Sequence, residues 1–399
     1  MAVPQIWAGV DAGKTHHHCV VIDADGKRLL SRRVANDEPE LLTLIGDVLD
    51  LGGGPVMWAT DLADGGAALL IGLLASHEQD LLYIPGRVVN KAAGSYRGVG
   101  KTDAKDAAII ADQARMRRDL HPMRVNDELV VELKLLTARR SDLVHDRTRV
   151  VSRLRELLTS IFPALERVLD VTNTGPLLLL TGYQTPASLR RIGRARLETW
   201  LKHRHVRGAA QLAQTAVDAG DRQRTQLPGE ALTAQMIETL AREVMVLNEQ
   251  VKAVEKLIEG RFRRHESAEV ITSLPGIGTV LGAEFLAVTG GDMSMFGSPD
   301  KLASFAGLAP VPRDSGRVHG NLHRPERYHR GLQRVFYTSA LISIQRNPES
   351  RSFYDRKRRE GKHHNQAVLA LARRRVNVLW ALLRDGRCYQ LTPPVTAAA

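Results

Sequence analysis

Hydrophobic and polar positions change rhythm along this chain. Up to about residue 115, short apolar runs alternate with helical stretches. Ile6 to Val10 is apolar and stops at Asp11-Ala12-Gly13, which predicts a strand running into a turn. His16 to Ile22 and Arg28 to Val34 flank Asp23-Ala24-Asp25-Gly26, a strand, tight turn and strand in which Gly26 supplies positive φ. Glu38 to Leu51 has helical spacing and ends at Gly52-Gly53-Gly54. Pro55 to Thr60 predicts a buried strand that delivers Asp61, and Gly65 to Ala75 predicts a helix. Leu81 to Ile84 predicts another strand, closed by Pro85-Gly86. The helical stretch KTDAKDAAIIADQAR, Lys101 to Arg115, completes the order β-β-β-α-β-α-β-α, an α/β fold.

Beyond it the period becomes helical. Leu129, Leu133, Leu136, Leu143, Val150, Leu154, Leu157 and Ile161 follow steps of three and four, with Arg140 and Arg147 in two slots where apolar residues belong. Ile237, Leu240, Val244, Leu247, Val251, Val254 and Ile258 keep the same steps without a break. Two long helices with coiled-coil-like seams follow, paired with each other or across a dimer. Asn173 to Gly229, richer in Gly, Thr and Gln, predicts a small helical insert. Further on, Leu274-Pro275-Gly276-Ile277-Gly278 separates two helical segments, and Ala309 to Arg324 is a loop dense in Pro, Gly and Arg. From Tyr328 the chain is helical and basic, with Arg356-Lys357-Arg358-Arg359 and Arg373-Arg374-Arg375, and Leu391 to Ala399 predicts a disordered tail.

Charge narrows the partners. The 399 residues carry 56 Lys+Arg against 44 Asp+Glu, a formal net charge of +12 that points to a polyanion, most simply nucleic acid. No 18-residue apolar run and no secretory leader occur, so a membrane role is excluded from the expectation and an intracellular place follows. Cys19 and Cys388 are the only cysteines, which leaves out a disulfide framework and a Cys-ligated zinc site. His16, His17 and His18 continue a strand, whose alternation sets His17 against its neighbours and spoils a shared metal site.

Three constellations bear on chemistry. Asp103 and Asp106 lie at i and i+3 near a helix start, so both carboxylates share one face. Alone, such a pair is an ordinary acidic first turn that suits the helix dipole. With Asp11 and Asp61 at strand ends it becomes a four-carboxylate set suited to Mg2+ on a phosphodiester. Gly276 and Gly278 fit either a tight interhelical turn or backbone contacts to phosphate. Ser315, in PVPRDSGR, stands among Arg313, Arg317, Arg324 and Arg327, which suit a serine nucleophile with a cationic phosphate cradle. A turn serine is the plainer account, and Ser304, in an apolar helical setting, is the competing serine, read as a packing residue.

Three segments in this order resemble transposases of the insertion-sequence family numbered one hundred and ten, related to Piv-type DNA invertases. They are GVDAGKTHHHCVVID from Gly9, WATDLADGGAALL from Trp58 with YRGVGKTDAKDAAIIADQAR from Tyr96, and LPGIGTVLGAEFLAVTGGDMSMFGSPDKLASFAGLAPVPRDSG from Leu274. The resemblance implies a RuvC-like, RNase H-type α/β domain with a DEDD site over 1–165, a helical insert and coiled-coil segment over 166–262, and a mainly helical transposase domain over 263–390. That last domain would hold a helix-hairpin-helix-like turn and the catalytic serine. Residue by residue, Asp11, Asp103 and Asp106 match the first, third and fourth carboxylates, and Ser315 matches the serine. The second carboxylate is normally glutamate; Asp61 stands at that position, one methylene shorter, with Asp64 as the alternative. Mg2+ or Mn2+, a phosphoserine intermediate, double-stranded DNA at element ends and target, and a structured noncoding guide RNA are implied as well. So are a dimer or tetramer in which one subunit's serine joins another's carboxylates, and a cytoplasmic, nucleoid-associated bacterial setting. The expected function is an RNA-guided DNA recombinase. The competing readings are a metal-dependent nuclease or Holliday-junction resolvase using water, and a nucleic-acid-binding protein without catalysis.

Overall fold

A computed structural model describes residues 6–52, 54–63, 65–96, 100, 102–118, 120, 122–123, 128–291, 293–317 and 319–390. Asp64, Lys101 and the tail 391–399 lie outside the described residues. The chain divides into two compact units, Met1–Asp127 and Glu128–Ala399. The expectation had carried the first domain through residue 165, to the end of the first long helix; by compactness that helix belongs with the second unit.

The first unit is a five-stranded sheet with helices on both faces. Its strands are β1 (Ile6–Ala12), β2 (His16–Asp23), β3 (Arg28–Ala35), β4 (Val56–Thr60) and β5 (Asp80–Tyr83), in spatial order β3-β2-β1-β4-β5. β1 pairs antiparallel with β2 and parallel with β4, so the central strand joins a hairpin half to a parallel half. The helices are α1 (Glu38–Gly52), α2 (Ala68–Ser76), α3 (Gly86–Ala93) and α4 (Asp103–Met116). Pleating sorts β1: Ile6, Ala8 and Val10 pack with α1 and α2, while Trp7 packs with α3 and α4. Every predicted strand is present, and Gly26 takes φ 81 at the hairpin turn. The sequence reading missed α3, because Pro85-Gly86 looked like a stop; Pro85 instead caps a helix whose Val89 is buried.

The second unit is helical apart from one short ribbon. It contains α5 (Glu128–Ile161), α6 (Pro163–Glu166), α7 (Thr174–Leu180), α8 (Pro186–Lys202), α9 (Ala209–Asp221) and α10 (Glu230–Phe262). Then come α11 (Ala268–Ser273), α12 (Thr279–Thr289), α13 (Pro299–Phe305), the strands β6 (Val311–Pro312) and β7 (Leu322–His323), α14 (Arg330–Arg346), α15 (Pro348–Arg359) and α16 (His364–Asp385). The two long helices pair with each other within one chain, antiparallel along their length: Glu132 with Arg261, Arg140 with Glu255, Arg147 with Asn248. Both seam interruptions are thereby met by polar partners on the facing helix. The insert supplies three helices that cover the far end of this pair, around Leu177, Leu197 and Ala213. α11 to α16 build a separate core at its other end, around Phe285, Phe336 and Val376.

Candidate active site

Asp11 lies near the end of β1, half-buried, two residues after Gly9 and therefore on the same face. That face is covered by α4. A Cβ at Gly9 would sit 2.3 Å from both the Ala107 carbonyl oxygen and the Ala111 nitrogen, so the missing side chain lets the helix backbone lie directly on the strand. Asp103 is one helical turn before Ala107 and shares its side of α4. Thr102 fixes this end of the helix: its hydroxyl accepts the Lys105 N–H at 3.2 Å, an N-cap that defines where the acidic turn begins. Asp103 is exposed and Asp106 half-buried.

Asp61 follows β4. Register pairs Gly9 with Ala59 and Val10 with Thr60 in the parallel ladder, so the next residues along the two strands are Asp11 and Asp61. The Asp61 Oδ2 lies 4.0 Å from where a Gly86 Cβ would stand, at the start of α3, which places this carboxylate on the α3–α4 face too. Two parallel strands thus deliver carboxylates side by side at their C-terminal ends, where open α/β sheets place their ligands. The helix over them adds the acidic turn of Asp103 and Asp106.

His18, read from the sequence only as part of a strand, is a neighbour of Asp11. It stands opposite Asp11 in the β1–β2 register, and its Nε2 lies 3.0 Å from the Ser31 Oγ. Burial lowers its pKa, Asp103 opposes that, and Arg33 reinforces it. Alternation could have marked it, since His17 is buried on the other face while His18 shares that of Asp11.

The donors suit a hard cation in kind, being oxygens of carboxylates. Among the described residues no three His, Cys, Asp or Glu side chains converge to hold a metal. Mg2+ asks less than that, because it retains waters and commonly takes one or two carboxylates plus substrate phosphate. The neighbouring Asp11 and Asp61 meet that demand, and the exposed Asp103 is free of the packing that would fix its rotamer.

Ser315 lies in the second unit, on the exposed segment between β6 and β7. Two backbone pairs hold the ribbon, Val311 with His323 and Pro312 with Leu322, and the Asp314 Oδ1 accepts the Asn321 N–H at 3.0 Å. Arg313 is engaged by Glu326 at 2.6 Å, and Arg324 donates to the Tyr328 hydroxyl at 3.1 Å. Arg317 and Arg327 are exposed near them. Ser304 is helical, as expected, but exposed on α13; the helix buries Leu302 and Ala303 and turns Ser304 outward, which corrects the expected packing role.

Gly276 and Gly278 part company. Gly276 has φ 88, and a Cβ there would meet the Ser339 carbonyl oxygen of α14 at 2.5 Å, so close helix packing accounts for the glycine. Arg375 locks the same turn from beneath, donating from Nε to the Ser339 Oγ at 2.9 Å and from Nη2 to the Pro275 carbonyl. Burial pulls its pKa down to about 10. Gly278 is exposed at the start of α12, with nothing within 4 Å of its Cβ position.

Comparison with known proteins gives this arrangement its context. A family model described as transposase matches residues 8–163, which carry all four carboxylates. A second, described as the IS116/IS110/IS902 transposase family, matches residues 268–355, which carry Ser315. The chain is 59% identical to the 42 kDa protein of insertion element IS900 from Mycobacterium paratuberculosis, over 100% of both chains. The chain belongs to the IS110 transposase family. It is also 51% identical to the 44.8 kDa protein of insertion element IS116 from Streptomyces clavuligerus, over 99% of this chain and 98% of that one. The mini-circle putative transposase for IS117 of Streptomyces coelicolor is 28% identical over 92% and 91%. The protein is an insertion-sequence transposase, an enzyme of DNA recombination. Among the described residues no helix is long and apolar enough to cross a membrane.

Proposed function

We propose that this IS110-family transposase cuts and rejoins double-stranded DNA by transesterification through Ser315, with a carboxylate site formed by Asp11, Asp61, Asp103 and Asp106. In the cutting step the Ser315 Oγ attacks phosphorus. A P–Oγ bond forms, one strand oxygen leaves and takes up a proton, and the serine proton passes to a base or to solvent. In rejoining, a strand hydroxyl attacks the phosphoserine and Oγ recovers its proton, so the number of phosphodiester bonds is unchanged. Exposed Arg317 and Arg327 would bind the phosphate oxygens during both steps. Bound Mg2+ or Mn2+, held by the four aspartates, would supply Lewis-acid stabilisation of the phosphate under attack.

The observation that carries this reading is the adjacent delivery of Asp11 and Asp61 by parallel strands, beneath the helix that bears Asp103. Aspartate in place of glutamate at position 61 sets the second carboxylate one methylene closer to its strand. A structured noncoding RNA that selects target and donor, and an oligomer of two or four chains, belong to the same reading; the net charge of +12 supports a polyanion partner.

The test is a trapped adduct. The full chain is incubated with Mg2+, element-end DNA and its flanking noncoding RNA, then denatured. A protein–DNA adduct that disappears in Ser315→Ala and falls at least about 100-fold in Asp103→Asn is the expected result. Strand cutting without an adduct, undiminished in Ser315→Ala, would establish a water-using nuclease in its place.

A further inference from the structure

Under the carboxylates, on the opposite side of the sheet, Asn36 joins two loops. It follows β3, and its Nδ2 donates to the Lys14 carbonyl at 3.1 Å and to the Gly66 carbonyl at 3.0 Å. Lys14 belongs to the turn that leaves β1 just after Asp11. Gly66 belongs to the segment that leaves β4 after Asp61. Both amide hydrogens are therefore spent tying together the exits of the two strands that carry the carboxylates.

Further contacts tighten the same junction. The Asn36 N–H donates to the Thr15 carbonyl at 2.9 Å, and the Gly13 N–H to the His16 carbonyl at 3.1 Å. A Cβ at Gly66 would stand 2.9 Å from the Gly13 carbonyl oxygen, so the two loops touch backbone to backbone. His17, 1% exposed, fills the space beside Asn36. Neither of its ring nitrogens reaches full hydrogen-bond geometry, so His17 mainly packs the junction, where Asn36 and the Gly13 backbone still favour its charged form. A junction with these properties fixes a distance. Neighbouring strands run at about 4.8 Å, and the last β1–β4 ladder pair, Val10 with Thr60, falls one residue short of Asp11 and Asp61.

We infer that Asn36 is a positioning residue for the carboxylate pair, setting the separation of Asp11 and Asp61 by clamping the Lys14 and Gly66 carbonyls. The inference rests on the proposed metal-binding role of those aspartates. Asn36 touches neither DNA nor cation; it acts through the backbone of the two loops. Removing the clamp leaves the ligands in place and loosens their spacing, which lowers cation affinity about tenfold or more, as loss of outer-shell support does at metal sites.

The experiment measures Mn2+ binding to the full chain without nucleic acid, by electron paramagnetic resonance of free Mn2+. Wild type, Asn36→Ala, Asn36→Asp and a control, Val48→Ala, are compared at a temperature well below each metal-free melting point. Val48, on α1, is fully buried in the core of the same unit, and its truncation lowers stability without touching the loops. The expected result is weaker Mn2+ binding by about tenfold or more in both Asn36 variants, with Asp the worse because its carboxylate faces two carbonyl oxygens, and wild-type affinity in Val48→Ala. Unchanged affinity in Asn36→Ala, or an equal loss in Val48→Ala, would overturn the positioning role while leaving the metal site standing. Absence of Mn2+ binding in wild type, with the same result in Asp11→Asn, would remove the metal site and this role together.

Discussion

Two residues set how closely this site is built. At Gly9 the obstacle to any side chain is backbone on both sides, the Ala107 carbonyl and the Ala111 nitrogen, so no rotamer change makes room. Gly9→Ala is expected to lift α4 from β1 and cost about 3 kcal/mol, seen as a lower urea midpoint, with loss of adduct formation because Asp103 moves with the helix. An unshifted midpoint would mean that the helix–strand contact is looser than the structure has it. His17 gives a pH signature. Burial lowers its pKa below the ordinary 6.5, against smaller opposing contributions from the His16 backbone, Asn36 and the Gly13 backbone. The unfolded chain then takes up the proton first. Stability is full above about pH 6.5 and is lost as pH falls from there through the folded value. His18 and His329 are lowered by burial as well and act in the same direction. His17→Gln is therefore expected to show a shallower fall in melting temperature between pH 7.5 and 5 than wild type, whatever its absolute stability; parallel curves would place the pH dependence elsewhere.

At the scale of elements, the α5–α10 pair shows what polar seam residues do. Arg140 donates from Nε to Glu255 at 2.8 Å, and its Nη1 lies 3.6 Å from the buried Glu284, which Arg334 also reaches at 2.9 Å. Arg140→Ala strips Glu255 of this partner and leaves Glu284 with one cation in a low-dielectric setting. The expected loss is about 2 kcal/mol, discounted from a fully buried pair because Arg140 is partly exposed, and readable as a lower thermal midpoint. The long helices were legible in the sequence because seven or eight apolar residues repeat at one period; that Arg140 and Arg147 would face Glu255 and Asn248 was not, since polar partners across a pair leave no periodic trace. Strands were legible for a related reason, Asp11 and Asp61 falling where an apolar run stops, whereas Asp103 and Asp106 were marked by their i, i+3 spacing at a helix start. α3 was hidden by Pro85-Gly86, a dipeptide that serves equally as a turn and as a helix start. The β6–β7 ribbon, with two residues per strand, is too short to alternate. Asn36 left no signal at all, because both of its partners are main-chain carbonyls.

For the whole molecule, the charge excess has a place to act. The last turn of α15 carries Arg356, Lys357, Arg358 and Arg359, and Arg356, Lys357 and Arg374 gather within 5.1–5.7 Å of the Phe353 ring. Some of this charge is answered locally: Glu360 lies 2.7 Å from Lys357 and 3.8 Å from Arg356. Among the described residues no carboxylate pairs with Arg358, Arg359 or Arg374, so these three are available to a polyanion. Each phosphate they neutralise would release condensed counterions and contribute about 0.9 to the slope of log affinity against log salt. The combined variant Arg358→Ala, Arg359→Ala, Arg374→Ala is expected to bind duplex DNA more weakly at 100 mM KCl and to flatten that slope by about 2 to 3, measured by fluorescence anisotropy without divalent cation. The effect is expected to be alike for element DNA and unrelated duplex, because phosphate contacts carry no sequence information. A slope equal to that of wild type would show that α15 and α16 stay clear of the DNA; weaker binding with an unchanged slope would trace the loss to packing around Phe353 and not to the charges.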